Sequence, residues 1–212
     1  MKPPLLLSAT VLLGLVPHCL AENLVSNAGF EQEFEGWKVF LPGNAEYEPL
    51  VCEIVSSNPH EGASAVVMNS TVPLRWALTM KDPISVEPGD KFRIEAWVRV
   101  DPNATIEPKL PGLYASYWFA DSAWEQIGKE DPSSPGTFFG LWDGMARWDD
   151  LKNLAPDKLP GKWTKISAVV QAPPDAKLLK FSINVWGITG KVYWDDISVE
   201  RVDAFTLVTK TL

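Results

Sequence analysis

The sequence predicts an all-β fold, a two-sheet antiparallel β-sandwich, on three observations. Short runs of alternating apolar residues recur along the chain, Pro, Gly and Asp punctuate them, and neither a helical repeat nor a low-complexity tract breaks the pattern. The candidate strands are Trp37–Phe40, Glu53–Val55, Ser64–Met68, Leu74–Met80, Lys91–Val100, Leu113–Ala120, Trp163–Gln171, Leu178–Trp186 and Lys191–Glu200. Turn chemistry sets several starts: Glu87-Pro88-Gly89-Asp90 precedes the run at Lys91, Pro111-Gly112 the run at Leu113, and Pro160-Gly161 the run at Trp163. At 212 residues the chain fits one domain, large enough to bury a core without a metal or disulfide to rescue it.

Two segments stand apart from this pattern. Residues 1–21 read as a secretory signal peptide: Lys2 supplies the positive start, Leu5 to Val16 is a short apolar run, and Cys19-Leu20-Ala21 offers small residues at the positions a signal peptidase inspects. The run is shorter than the roughly 20 residues of a membrane span. His18 is a poor fit for a lipoprotein site at Cys19, so cleavage is expected after Ala21. The globular module then covers 22–201, and 202–212 is a tail too short to form a domain. Within the module, 121–162 is rich in Pro, Gly, Asp and aromatics and lacks sustained alternation, with at most a short helix over Met145–Leu154. A connection this long is usually functional or an excursion over one face.

Composition excludes several chemistries. The chain has ten Trp but only two His and two Cys, and one of each scarce pair, His18 and Cys19, lies in the expected leader. His60 and Cys52 remain, which leaves no internal disulfide, no Cys/His zinc site and no dithiol redox pair. Cleavage removes Lys2 and no acidic residue, which takes the net charge from −8 to −9. Such a charge disfavours nucleic acid, whose phosphates require clustered Lys and Arg. Asn69-Ser70-Thr71 and Asn103-Ala104-Thr105 are glycosylation sequons.

Strand alternation divides side chains between two faces. In Lys91–Val100 the apolar row is Phe92, Ile94, Ala96, Val98 and Val100, so Arg93, Glu95, Trp97 and Arg99 point the other way. In Leu113–Ala120 the core row Leu113, Ala115, Tyr117 and Phe119 leaves Tyr114, Ser116 and Trp118 opposite. In Leu178–Trp186 the row from Leu179 to Val185 leaves Lys180, Ser182, Asn184 and Trp186 opposite. Each strand thus places one Trp in a polar row. A pyranose has an apolar C–H face that stacks on indole and a rim of hydroxyls that needs charged or amide partners. The candidate ligand-binding residues are therefore Trp97, Trp118, Trp186, Arg93, Glu95, Tyr114 and Asn184, taken as one sheet face. Trp76, among Leu74, Leu78 and Met80, reads as core, and Trp163 as structural; Trp124, Trp142 and Trp148 lie in the excursion, as a binding rim or as a self-packed lid.

The motifs at the two ends carry a resemblance. Asn23-Leu24-Val25-Ser26-Asn27-Ala28-Gly29-Phe30-Glu31 followed by Gly36-Trp37 resembles the opening of carbohydrate-binding modules of the family 4, 9, 16 and 22 type. Gly62-Ala63-Ser64-Ala65, Pro88-Gly89-Asp90-Lys91-Phe92 with Glu95-Ala96-Trp97-Val98, and Trp163 with Gln171-Ala172-Pro173 are further matches. The closing Val192-Tyr193-Trp194-Asp195-Asp196-Ile197-Ser198-Val199 is similar to the family's last strand. The resemblance spans 23–200 and implies a galactose-binding-like jelly roll with ligand on the concave sheet or the loop rim. It places Trp37 and Trp194 in framing motifs. It also implies a structural calcium ion held by the carboxylates of Glu31 and Asp195 and by backbone carbonyls near Asn27 and Ala63, a sensible set for a hard cation.

Three functions are weighed against one another. Carbohydrate binding without catalysis, to a polysaccharide or oligosaccharide outside the cytoplasm, leads. A structural or adhesive exported module is the alternative, since exposed aromatics also mark protein interfaces. A glycan-active enzyme comes last: hydrolysis needs two facing carboxylates, and nothing in the spacing pairs Glu95, Asp143, Asp149 or Asp150.

Overall fold

The structure, a computed structural model, describes residues 22–41, 50–107, 110, 112–127 and 159–202, together with the backbone of 138–140. The expected leader over 1–21, most of the 121–162 excursion with the Met145–Leu154 helix, and the tail beyond 202 lie outside the described residues.

The described residues form twelve strands: β1 (Trp37–Phe40), β2 (Leu50–Val55), β3 (Ala65–Ser70), β4 (Arg75–Met80), β5 (Ile84–Ser85), β6 (Lys91–Val100), β7 (Thr105–Ile106), β8 (Gly112–Ala120), β9 (Phe138–Gly140), β10 (Thr164–Gln171), β11 (Leu178–Trp186) and β12 (Ile188–Arg201). All nine strands anticipated from alternation are present, three of them (β1, β6, β11) with the expected bounds. The additional strands β5, β7 and β9 are two or three residues long, too short to show a period of two. No helix among the described residues is long and apolar enough to cross a membrane.

The strands pair into two antiparallel sheets. One has the order β1-β4-β11-β8-β9, with β5 also on β11; the other runs β10-β6-β12-β3-β2, with β7 on β12. The alternating apolar rows turn inward and meet: Phe92, Ile94, Ala96 and Val98 of β6 are fully buried, as are Leu113 and Ala115 of β8 and Leu179, Phe181 and Ile183 of β11. At about 25 cal/mol per Å² of apolar surface buried, this shared layer is the main source of stability. Trp76, Trp37 and Trp194 are core residues, as expected. The Trp37 indole N–H donates to the Asn27 carbonyl at 3.2 Å, and its ring packs 5.4 Å from that of Phe30, which closes the N-terminal segment onto the sandwich.

The chain crosses between sheets at Gly187. It stands between β11 and β12 with φ 79°, and a side-chain carbon there would lie 2.6 Å from Leu110. Only glycine accepts that conformation and that proximity together. The N-terminal segment runs beside β12: the Leu24 N–H donates to the Val199 carbonyl, and the Asn23 side chain bridges the Ile197 carbonyl and the Val199 N–H. The two ends of the module are thereby fastened to each other.

Candidate functional site

The three Trp-bearing strands do not share a face, and here the sequence expectation is corrected. Strand β6 belongs to the β10-β6-β12-β3-β2 sheet, whereas β8 and β11 pair directly in the other. Trp97, Arg93 and Glu95 therefore lie on the opposite side of the sandwich from Trp118, Trp186, Tyr114 and Asn184. Alternation had identified each strand's outward row correctly; it holds no information on which strands are neighbours.

On the β1-β4-β11-β8 side the outward rows form a cleft of about 330 Å³. The registers order its floor. Lys180 stands beside Trp118; one step along, Thr79, Ser182 and Ser116 align across three strands, with Lys38 opposite Thr79 on the edge strand; next come Ala77 and Asn184 beside Tyr114; last, Arg75 stands beside Trp186. Polar atoms on this floor are fixed by one another: Thr79 Oγ1 and Ser182 Oγ are 2.9 Å apart, and Asn184 Nδ2 donates to Ser116 Oγ at 3.0 Å and to the Ser182 carbonyl at 3.1 Å. Of the predicted residues, Trp118 and Asn184 line the cleft directly. Tyr114 is wholly buried near Arg75, and burial raises its phenol above the ordinary range against the pull of the Arg75 charge. Trp186 lies under the Arg75 guanidinium, 5.2 Å from it.

The rim begins at residue 121. Asp121 Oδ1 accepts from the N–H groups of Ala123 and Glu125, an Asx-type turn that leaves Trp124 with φ 67° and 54% exposed. Its ring faces Lys180 Nζ at 4.8 Å. Trp142 and Trp148 lie outside the described residues.

Sequence reasoning missed Lys38, Phe40, Arg75 and Thr79 in this cleft. β4 was read only for its apolar row, although Arg75, Ala77 and Thr79 are the alternate positions of the same strand. Lys38 and Phe40 sit on an edge strand too short for a face assignment.

The other outer face is differently built. His60 stacks on Trp97 with ring centres 3.8 Å apart and 19° between planes, and meets Trp163 edge-on at 5.9 Å. The Arg99 guanidinium lies 4.0 Å from the Tyr193 ring centre and 5.3 Å from that of Trp163. Trp163 Nε1 donates to the Asn58 carbonyl, consistent with the structural role read for it. Glu95 is held by Lys165 at 3.2 Å and by Ser167, and Arg93 faces Glu200 at 3.8 Å. The aromatic surface and the charges of this face are thus already paired within the chain. Cys52, on β2, is held in its thiol form: burial and then Glu53 push it up to about 12.

The residues expected to hold calcium gather where the N-terminal segment meets β12. The ladder slips between Asp195 and Ser198, a bulge that puts Asp196 at φ 44° and turns two consecutive carboxylates toward one loop. Asp195 is fully buried, accepts backbone N–H bonds from His60 at 2.7 Å and from Asp196 at 2.8 Å, and has no cationic side chain beside it among the described residues. Burial pushes its acid up to about 6, against the pull of those N–H groups. Glu31 Oε1 accepts from the N–H groups of Ala63 and Ser64, at 2.8 and 3.1 Å. A side-chain carbon placed on Gly29 would lie 3.6 Å from Asp196 Oδ1 and 3.7 Å from Asp195 Oδ1, so these two carboxylates face one point, which Glu31 approaches through its Cγ, at 3.9 Å. Among the described residues, the ligand atoms of His60, Glu61 and Asp196 also lie within 4.8 Å of one another. An oxygen-rich cluster around a buried, uncompensated carboxylate fits a hard cation. The backbone part of the expected set differs. The Asn27 carbonyl already accepts from Phe30 and from Trp37, and Ala63 turns its N–H toward Glu31. Beside this cluster, His60 Nδ1 contacts Asp196 Oδ2 at 2.5 Å.

No protein-family profile matches the chain, and no curated protein matches it. Among solved structures it is similar to the enzymatically active domain of tailspike protein 4 of bacteriophage CBA120, at 16% identity and a TM-score of 0.61, covering 85% of this chain and 21% of that one. It is also similar to the CBM22-1–GH10 modules of the Clostridium thermocellum endo-1,4-β-D-xylanase 10B complexed with xylohexaose, at 15% identity and a TM-score of 0.56, covering 86% and 29%. The chain thus spans less than a third of either. The CBM22-1 xylan-binding domain from Paenibacillus barcinonensis Xyn10C matches over 87% of this chain and 94% of its own length at 10% identity and a TM-score of 0.49. At these identities the likeness is one of fold, and the fold is the all-β sandwich of carbohydrate-binding modules that the motifs implied.

Proposed function

We propose that this chain is an exported, non-catalytic carbohydrate-binding module, and that its ligand lies in the cleft on the β1-β4-β11-β8 sheet. The observation that carries the reading is Trp118: a large aromatic in the wall of a 330 Å³ cleft whose floor presents the hydroxyl and amide groups of Ser116, Ser182 and Asn184. An indole beside hydroxyl and amide groups complements a sugar ring, apolar on its face and polar at its rim. The described residues that line the cleft include no Asp or Glu, and glycoside hydrolysis needs a facing pair of carboxylates. Glu95 is on the far sheet in an ion pair with Lys165, and Asp143, Asp149 and Asp150 lie outside the described residues. Export rests on the leader-like segment over 1–21.

The same reading assigns a structural calcium ion to Glu31 and Asp195, with Asp196 beside them. Bound there, the ion would neutralise the buried Asp195 carboxylate and tie the N-terminal segment to β12 and the 58–64 loop.

Affinity electrophoresis against a panel of soluble polysaccharides tests the main claim. Retention by at least one polysaccharide is expected. Trp118→Ala is expected to weaken it by about 2 kcal/mol, some thirtyfold in Kd, with circular dichroism unchanged. No retention by any member, or full retention by Trp118→Ala, refutes the assignment.

A further inference from the structure

The cleft is opposite in sign to the chain that carries it. The protein has a formal net charge of −8, yet Lys38, Arg75 and Lys180 line the cleft without a single Asp or Glu among the described lining residues. None of the three makes an ion pair among the described residues, whereas Arg93, Lys165, Lys177 and Arg201 each find a carboxylate. The two with a described partner are held by neutral groups instead: Arg75 by the Trp186 face, Lys180 by the Trp124 face. Aromatic contacts position a cation without cancelling its charge. Burial, then the nearby Lys38 charge, lowers the Lys180 pKa from its ordinary value, with Asp82 opposing from outside the cleft. Like charges are therefore crowded at that end.

The registers add a second observation. Lys180 stands level with Trp118 and Arg75 level with Trp186, six positions apart along β11, so the two Trp–cation rows are separated by about 20 Å at roughly 3.3 Å per residue. Hydroxyls and the Asn184 amide fill the floor between them. Unpaired cations at both ends of an uncharged floor suit a ligand that carries several negative charges along its length. A neutral glycan would leave those cations uncompensated in a partly desolvated cleft.

We propose that the cleft selects an anionic glycan, a polysaccharide whose units carry carboxylate or sulfate groups, with anionic substituents on Lys38, Lys180 and Arg75 and a ring face on Trp118. This rests on the carbohydrate reading above and names the class of glycan. Because the protein as a whole is acidic, affinity for a polyanion would arise at this cleft and not from general charge attraction.

The test is affinity electrophoresis and calorimetry on the full chain with three sets of probes: neutral xylan, galactan and glucomannan; polygalacturonate and alginate for carboxylates; carrageenan and dextran sulfate for sulfates. At least one anionic glycan should bind about tenfold or more tightly than any neutral one, the difference between the two anionic sets showing which group is read. That affinity should fall severalfold as salt is raised from about 0.05 M to about 0.5 M. The Lys38→Ala/Lys180→Ala variant should lose tenfold or more, and Lys165→Ala, on the far sheet, should lose nothing. Neutral glycans bound as tightly as anionic ones, with the double variant unaffected, would overturn the inference and leave the carbohydrate reading standing. Absence of binding to all three sets would overturn both.

Discussion

The two outer faces of the sandwich carry the same kinds of residue and do opposite things with them. On the β1-β4-β11-β8 sheet, Trp118 borders a cleft, and the cations around it meet no carboxylate among the described residues. On the β10-β6-β12-β3-β2 sheet, Trp97 stands in an equally polar row, but His60 covers its ring, Arg99 is taken up by Tyr193 and Trp163, and Glu95 and Arg93 have ionic partners. A Trp among charged side chains is thus evidence of a binding platform only where its neighbours leave both ring and charges unspent. What closes the second face is the 58–64 loop, which brings His60 over Trp97 and is itself anchored to Asp195 and Glu31 by backbone N–H bonds.

That anchor is where the contrast can be broken most forcefully. If calcium sits among Glu31, Asp195 and Asp196, a chelator should lower the melting temperature and added calcium should restore it. A hundredfold excess of ion over Kd corresponds to about 2.7 kcal/mol, or roughly 5–10 °C for a chain of this size. A melt indifferent to both additions, measured by scanning calorimetry, would remove calcium from the account.

Trp97→Ala gives the next largest effect and separates the faces directly. Loss of the stacked ring and its packing should reduce stability in urea by about 2 kcal/mol, while affinity for whichever glycan the cleft binds stays within about twofold of the parent. Impaired binding with stability intact would return Trp97 to the ligand site.

The smallest effect is expected at Glu95. Its bonds to Lys165 and Ser167 are surface contacts, so Glu95→Gln should change stability by no more than about 0.5 kcal/mol and leave glycan affinity alone. A strong loss of binding would show that the covered face contacts ligand after all.

Much of the structure was legible residue by residue. Alternation identified all nine longer strands, and the apolar rows of β6, β8 and β11 are the rows found buried. It succeeded because the core of a sandwich sets the period of each strand locally, however distant its partner. The candidate site was only half legible. Trp118 and Asn184 were found, but Lys38 and Arg75 were overlooked on strands read for their apolar side alone, and Trp97 was assigned to a face it does not share. Whether β6 lies next to β8 or next to β12 depends on contacts between distant segments, and a single strand's pattern is the same in either case. His60 over Trp97, and the Asp195 and Asp196 carboxylates facing Gly29, join positions up to about 170 residues apart by loops that carry no period at all.

The sequence by itself therefore determined the nine longer strands, the inward rows of β6, β8 and β11, the net negative charge and the scarcity of His and Cys. Those properties follow from local alternation and from composition, which folding does not alter. Only the tertiary structure decided which polar rows became neighbours, which of the Trp residues were already covered, and that an acidic chain gathers in one cleft cations with no carboxylate partner among the described residues. Sheet membership and side-chain pairing are long-range, and they fall out of the packing of the whole core.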